Sequence, residues 1–181
     1  MRFQGINLRL ETARLELRPP EVEDAAEVFT SYASDPAVTK YMLFAPHTDV
    51  SEADTFINLK QAQLAAGEAM TWMIRLRGEP GLIGALELRV IEQRGDVGFA
   101  LAKAYWGRGI VAEALSAVLE FGRTKLGLRH VTGMCDTENL QSARVFEKCG
   151  FRNLGVKPRA NVHPAFGAEP RDALCFDREL E

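Results

Sequence analysis

The period of the hydrophobic positions changes several times along the chain, and each change predicts an element. Residues 14–18 alternate charged and apolar side chains and run into Pro19-Pro20, the pattern of a short half-buried strand that a proline pair ends. Residues 21–34 instead carry Val22, Ala25, Ala26, Val28 and Phe29 at helical spacing, with acids in the first turn where the helix dipole favours them. After an apolar piece at 38–44, a second helical pattern covers 51–66, opened by Ser51-Glu52-Ala53-Asp54, which resembles a capping box. From residue 70 the period becomes two: Met70, Trp72, Ile74 and Leu76 share one face, and Thr71, Met73, Arg75 and Arg77 the other. A turn at 78–81 follows. Leu82, Gly84, Leu86, Leu88 and Val90 then alternate against Ile83, Ala85, Glu87, Arg89 and Ile91, and a second turn at 93–95 leads into a strand at 96–102, which makes an antiparallel meander.

The remainder reads as helix (107–125), strand (129–135), helix (139–148) and two strands (151–155 and 171–178). Residues 156–170 contain Pro158, Pro164, Gly167 and Pro170 and are expected to form one long loop, either mobile or part of a binding surface. The expected fold is α+β, one domain over residues 1–181, with about seven strands.

At 181 residues and 46% hydrophobic, the chain can bury one core of ordinary size. A formal charge of −3 offers no bulk attraction to nucleic acid or to an anionic membrane, so any anion site must be local. Cys135, Cys149 and Cys175 are odd in number and form no CxxC pair, as expected of free thiols in a reducing cytoplasm. No stretch approaches the roughly 18 uninterrupted apolar residues of a membrane span. His47, His130 and His163 are scattered, so no metal site is expected.

The chemistry concentrates at Trp106-Gly107-Arg108-Gly109-Ile110-Val111-Ala112, where two glycines open an amphipathic helix. A helix N-terminus leaves backbone N–H groups unpaired and partly positive, and glycines let oxygens approach them. The segment is thus a tight turn into a helix or a seat for a diphosphate, with Arg108 adding a full charge. Gly107, Gly109 and Ala112 also fit the dinucleotide fingerprint, with Asp136 placed as a ribose acid. That fingerprint needs its turn directly after a strand of a parallel unit. Here residues 103–106 intervene, and the preceding strand belongs to a meander.

Together with Asn139-Leu140-Gln141-Ser142-Ala143-Arg144-Val145-Phe146 and the opening Leu10-Glu11-Thr12-Ala13-Arg14-Leu15, this segment resembles the GNAT superfamily of acyl-CoA-dependent N-acyltransferases, in its RimJ/RimL-like branch. The resemblance implies a mostly antiparallel sheet splayed between its fourth and fifth strands and flanked by helices on both faces. It implies acetyl-CoA as cosubstrate, its pyrophosphate on Trp106, Gly107, Arg108, Gly109, Ile110, Val111 and Ala112. Trp106 and Val111 depart from the family pattern Q/R-x-x-G-x-G/A, and Val111 should therefore face the sheet. It further implies a pantetheine arm beside Phe99, Ala100 and Leu101, with Asn139, Ser142 and Phe146 also near the arm, Ser142 as proton donor to the departing thiolate, and the Leu101 N–H as oxyanion donor.

The general base stays open between Asp96 and Glu87, either of which could act through water or serve as a salt-bridge partner; Arg89 shares Glu87's face. Cys135 is expected to be a buried thiol rather than a covalent relay. The expected partner is an amine, on a protein N-terminus or a small molecule, and a homodimer is possible in this branch. A non-catalytic acyl-CoA sensor is the competing class.

Overall fold

A computed structural model, which describes residues 3–180, assembles the period-two segments into a single sheet. The strands β1 (Leu10–Glu11), β2 (Leu15–Arg18), β3 (Ala69–Leu76), β4 (Leu82–Ile91), β5 (Arg94–Leu101), β6 (His130–Asp136), β7 (Arg152–Asn161) and β8 (Arg171–Glu179) lie in the order β1-β2-β3-β4-β5-β6-β8-β7. Among the described residues only β5 and β6 run parallel. The sheet has eight strands rather than seven because β1, paired through Leu10↔Leu17, is too short to show alternation.

One face is covered by a helical run from Val22 to Ala33, by α2 (Pro36–Thr39) and by α3 (Val50–Ala66), with α1 (Ala25–Val28) inside that run. The other face is covered by α4 (Ile110–Leu126) and α5 (Leu140–Lys148). Each layer encloses its own apolar cluster. Met70, Trp72, Leu86, Leu115, Val118 and Phe146 pack beneath α4 and α5, and Val28, Tyr32, Ile57, Met73 and Ala85 beneath the first helices. The cap of α3 lies two residues earlier than expected. Asp49 accepts from the Ser51 N–H and Glu52 reaches back to Thr48 and Asp49, which leaves Ser51 inside the first turn.

Three strand readings change for physical reasons. The β3–β4 register passes from Ile74↔Gly84 to Arg75↔Leu82, so Ile83 is an extra, bulged residue. Leu82 therefore packs with the first helices and Ile83 with α4, the reverse of strict alternation. The β4–β5 turn is Glu92-Gln93, not residues 93–95. Gly95 lies inside β5, where a Cβ would stand 2.8 Å from a Leu88 methyl, so its smallness serves packing. Finally, residues 156–161 belong to β7. Proline is tolerated there because β7 is an edge strand, and residues 158–160 bulge between Lys157↔Ala173 and Asn161↔Arg171, with Asp172 accepting from the Arg159 N–H. The connection that remains, residues 162–170, contains a 3-10 turn at Pro164–Phe166.

The parallel ladder sets up the site. It runs from Arg94↔His130 to Val97↔Gly133 and stops, while β6 continues alongside β8 as far as Asp136↔Ala173. Beyond Val97 the two strands diverge and a gap opens in the middle of the sheet.

Candidate active site

The edge of β5 that faces this gap carries unpaired backbone. The Ala102 N–H donates to the Ile83 carbonyl at 2.8 Å, and the alternation of an antiparallel ladder then turns the polar groups of Ala100 and Gly98 toward β4. Phe99 and Leu101 turn theirs the other way, into the gap. Ala100 therefore lines the cleft with its side chain while its backbone is committed to β4. The Leu101 carbonyl accepts from Trp106 Nε1 at 2.7 Å, and the Leu101 N–H on that edge has no partner among the described residues. Trp106 thus ties off the end of β5 and packs against both apolar clusters.

One turn further on, the N–H groups of Gly107, Arg108, Gly109, Ile110, Val111 and Ala112 have no protein partner among the described residues. Gly107 and Gly109 both have φ of 74°, a left-handed conformation that turns these amides to one side and that other residues adopt only with strain. Val111 is buried against the sheet as its size requires, and Ile110 and Ala112 are buried beside it. Cations surround the turn. A Cβ on Gly109 would lie 3.4 Å from Lys148 Nζ and 3.8 Å from Arg14 Nη2. Arg14 is held there by Glu113 (Nε to Oε2, 2.7 Å) and by the Arg108 carbonyl (3.0 Å), and the Arg108 guanidinium lies 5.3 Å over the Tyr105 ring. Lys148 and Arg14 escaped the sequence reading because they arrive from the end of α5 and from the β1–β2 turn, with no local signal.

A cleft of about 640 Å³ runs through the gap. On the α5 side it is lined by Phe99, Cys135, Asn139, Ser142 and Phe146. Asn139 caps α5, its Oδ1 accepting from the Ser142 N–H at 3.2 Å, which leaves its NH₂ without a protein partner among the described residues. Phe146 is 1% exposed and stacks on Phe176 at 4.8 Å. Burial, with the Asp136 charge next to it, pushes the Cys135 thiol up to about 12, so almost none is thiolate at neutral pH.

On the opposite face the two candidate carboxylates are both ion-paired. Glu87 accepts from Lys60 Nζ at 2.5 Å, Arg89 Nη1 at 2.8 Å and Thr71 Oγ1 at 3.1 Å. Asp96 is gripped by the same Arg89 guanidinium, its Nε at 3.0 Å, and by Thr132 Oγ1 at 3.1 Å. Gly98 stands opposite Glu87, and a Cβ there would meet nothing within 4 Å. The residues that the sequence reading missed lie nearby. Tyr32, His47 and His163 all line the cleft, and Tyr32 Oη, His47 Nδ1 and His163 Nε2 are buried without a hydrogen-bond partner among the described residues. Tyr41 stacks on Phe166 at 5.6 Å, which brings the 162–170 connection onto the cleft wall.

Asp136 is not a ribose acid. It is buried, accepts from Arg171 Nε at 2.6 Å and the Glu138 N–H at 2.9 Å, and lies 3.6 Å from His163 Nε2. Burial alone would raise its carboxyl, but Arg171, the Glu138 amide and His163 outweigh that and hold it below the usual range. Among the described residues no cluster of three or more His, Cys, Asp or Glu is placed to hold a metal, and no helix is long and apolar enough to cross a membrane.

The model of the acetyltransferase (GNAT) domain matches residues 14–152. The chain is 34% identical over 150 residues to an uncharacterized N-acetyltransferase, p20, of Bacillus licheniformis, covering 81% of this chain and 84% of that one. The crystal structure of a GNAT-family acetyltransferase from Bacillus anthracis superposes with a TM-score of 0.83 at 25% identity, covering 94% and 98% of the two chains. RimL, a ribosomal L7/L12 α-N-protein acetyltransferase solved with coenzyme A, has the same fold (TM-score 0.83, 19% identity, 93% and 96% covered). With that match over most of its length and the split sheet it encodes, the chain belongs to the GNAT family of N-acetyltransferases.

Proposed function

We propose that the protein transfers the acetyl group of acetyl-CoA to a primary amine, on a protein N-terminus or a small molecule, by direct attack in a ternary complex. The observation that carries this reading is the conjunction of an unpaired β5 edge at Phe99 and Leu101 with six unpaired amides at residues 107–112, ringed by Arg14, Arg108 and Lys148. The edge suits the amide-bearing pantetheine arm as an added strand, and the amides suit its two linked phosphates. The NH₂ group of Asn139 is free to donate to the arm.

In this reading the amine nitrogen attacks the thioester carbonyl while the Leu101 N–H stabilises the developing oxyanion. The C–S bond then breaks, and Ser142 Oγ, on the cleft wall, protonates the thiolate and is itself reprotonated from solvent water. The nitrogen loses its proton through water toward Glu87 or Asp96. Arg89 clamps both carboxylates and Lys60 also holds Glu87, an arrangement that suits an α-amine of pKa about 8, which needs little help to lose its proton, better than a lysine side chain of about 10.4. Calorimetric titration with acetyl-CoA, CoA and NADH, followed by thiol release with an amine panel, tests the proposal. NADH binding in place of CoA would refute it, and CoA binding without thiol release from any amine would favour a sensor. Three free thiols accord with a cytoplasmic setting, and the exposed Leu154 and Val156 on the β7 edge accord with a homodimer, which sedimentation would test.

A further inference from the structure

We infer that the acceptor end of the cleft selects a monoamine whose nitrogen sits beside an apolar or aromatic group bearing a neutral hydrogen-bonding function, and that it excludes polyamines. This rests on the acetyl-transfer reading above and concerns the half of the cleft that lies on the α3 face.

The walls there are Tyr41, Met42, Leu43, Phe44, Phe56 and Leu59, an apolar and largely aromatic surface. A polyamine brings further ammonium groups, each of which needs an unneutralised carboxylate once water is displaced. Of the carboxylates that line the cleft, Glu87 is held by Lys60 and Arg89 and Asp96 by Arg89, while Glu52, whose Oε1 accepts from Thr48 and Asp49 in the α3 cap, has no cation partner among the described residues but is exposed and stays in water. Lys60 and Arg89 add repulsion toward a second cation.

What the cleft holds unspent is a set of hydrogen-bonding atoms. Tyr32 is 2% exposed and His163 3%, both line the cavity, and neither Tyr32 Oη nor His163 Nε2, which lies 3.6 Å from Asp136, has a hydrogen-bond partner among the described residues. His47 Nδ1 is a third such atom. His163 Nδ1 lies 3.2 Å from the Met42 carbonyl, which fixes the ring against the aromatic wall. A buried polar atom without a partner costs free energy, and a ligand that supplies a hydroxyl or amide recovers it. Gly98 also lines the cleft, and a Cβ there would meet nothing within 4 Å, so the cavity is open beside β5.

The test measures kcat/KM by thiol release for tyramine, phenylalaninamide, phenethylamine and spermidine, with acetyl-CoA binding followed separately by calorimetry. Tyramine or phenylalaninamide should lead, phenethylamine should follow, and spermidine should trail the leader by at least about tenfold. Whichever of the first two leads tells a free amine from a peptide terminus. Tyr32→Phe should cost the leading acceptor about fivefold and leave phenethylamine within about twofold. Lys60→Met, which removes one cation from Glu87, should raise spermidine relative to the leader. Equal or better turnover of spermidine by the unmodified protein overturns the inference. So does an equal loss for all amines in a folded Tyr32→Phe variant, or the absence of turnover of any monoamine while acetyl-CoA binds. Should Tyr32→Phe not fold, the ranking by the unmodified protein decides alone. Failure of acetyl-CoA to bind overturns the underlying acetyl-transfer reading instead.

Discussion

Replacing Gly133 by alanine should destabilise the protein through one identifiable collision. Gly133 is the last β6 residue in the ladder with β5, at the point where the gap opens. An added Cβ would fall closer than 3.0 Å to two atoms of the Phe146 ring, so the ring must retreat by more than 0.4 Å to reach the 3.4 Å of ordinary contact. It has nowhere to go: Phe176 stacks on it at 4.8 Å, Phe151 meets it edge-on at 5.2 Å and Phe99 at 5.4 Å. Overpacking of this kind costs about 1–3 kcal/mol. Alanine in place of glycine returns about 0.4–1 kcal/mol through the unfolded chain. A net loss of about 1–2 kcal/mol remains, or a melting temperature lower by about 2–8 °C for a chain of this size. Thermal and urea melts measure it, and the double variant with Phe146→Leu isolates the cause, because the smaller side chain vacates the contested space. The double variant should be no less stable than Phe146→Leu alone. A Gly133→Ala protein as stable as the original, or a double variant in which the two losses simply add, would refute the reasoning.

Gly98→Leu should do the opposite, since its Cβ points into open cleft: the melting temperature should stay within about 2 °C, acetyl-CoA affinity should hold, and amine turnover should fall at least about tenfold, as initial rates and calorimetry would show. Lys148→Glu reverses a cation that has no ion-pair partner among the described residues and lies beside Gly109, and it should weaken CoA binding by about tenfold at low salt, with the difference shrinking as salt rises in calorimetry. Cys135→Ala should keep most of the activity, and the native thiol should resist iodoacetamide at pH 8, whereas complete loss of transfer would indicate a covalent relay. The Asp136 carboxyl is held below its unfolded value, so its contribution to stability is present above about pH 4 and is lost as pH falls through the lower, folded value. Asp136→Asn should therefore cost about 3 kcal/mol at pH 7 and flatten the acid limb of urea midpoints measured from pH 3 to 7.

Properties that travel with a short stretch of chain were legible without the fold. The alternation in residues 70–77, the stripe of Ile110, Val111, Ala114 and Leu115, and the glycine pair at 107 and 109 each state a local periodicity or backbone freedom, and neighbouring residues suffice to read them. Where a reading slipped, a partner strand had intervened. Ile83 bulges because β3 sets its register, Gly95 is small because Leu88 lies across from it, and Pro158 is tolerated because nothing pairs on the outer side of β7.

The amino-acid order alone predicted most of the element sequence and marked out the glycine turn at residues 107–112 and the residues Asn139, Ser142 and Phe146. Only the tertiary structure decided that Arg89 and Lys60 neutralise the two candidate carboxylates, that Arg14 and Lys148 converge on Gly109, and that Tyr32, His47 and His163 share one cavity. These pairings join residues tens of positions apart, so they depend on strand order and helix placement, which no local pattern encodes. Ion pairing and solvent access follow from that placement.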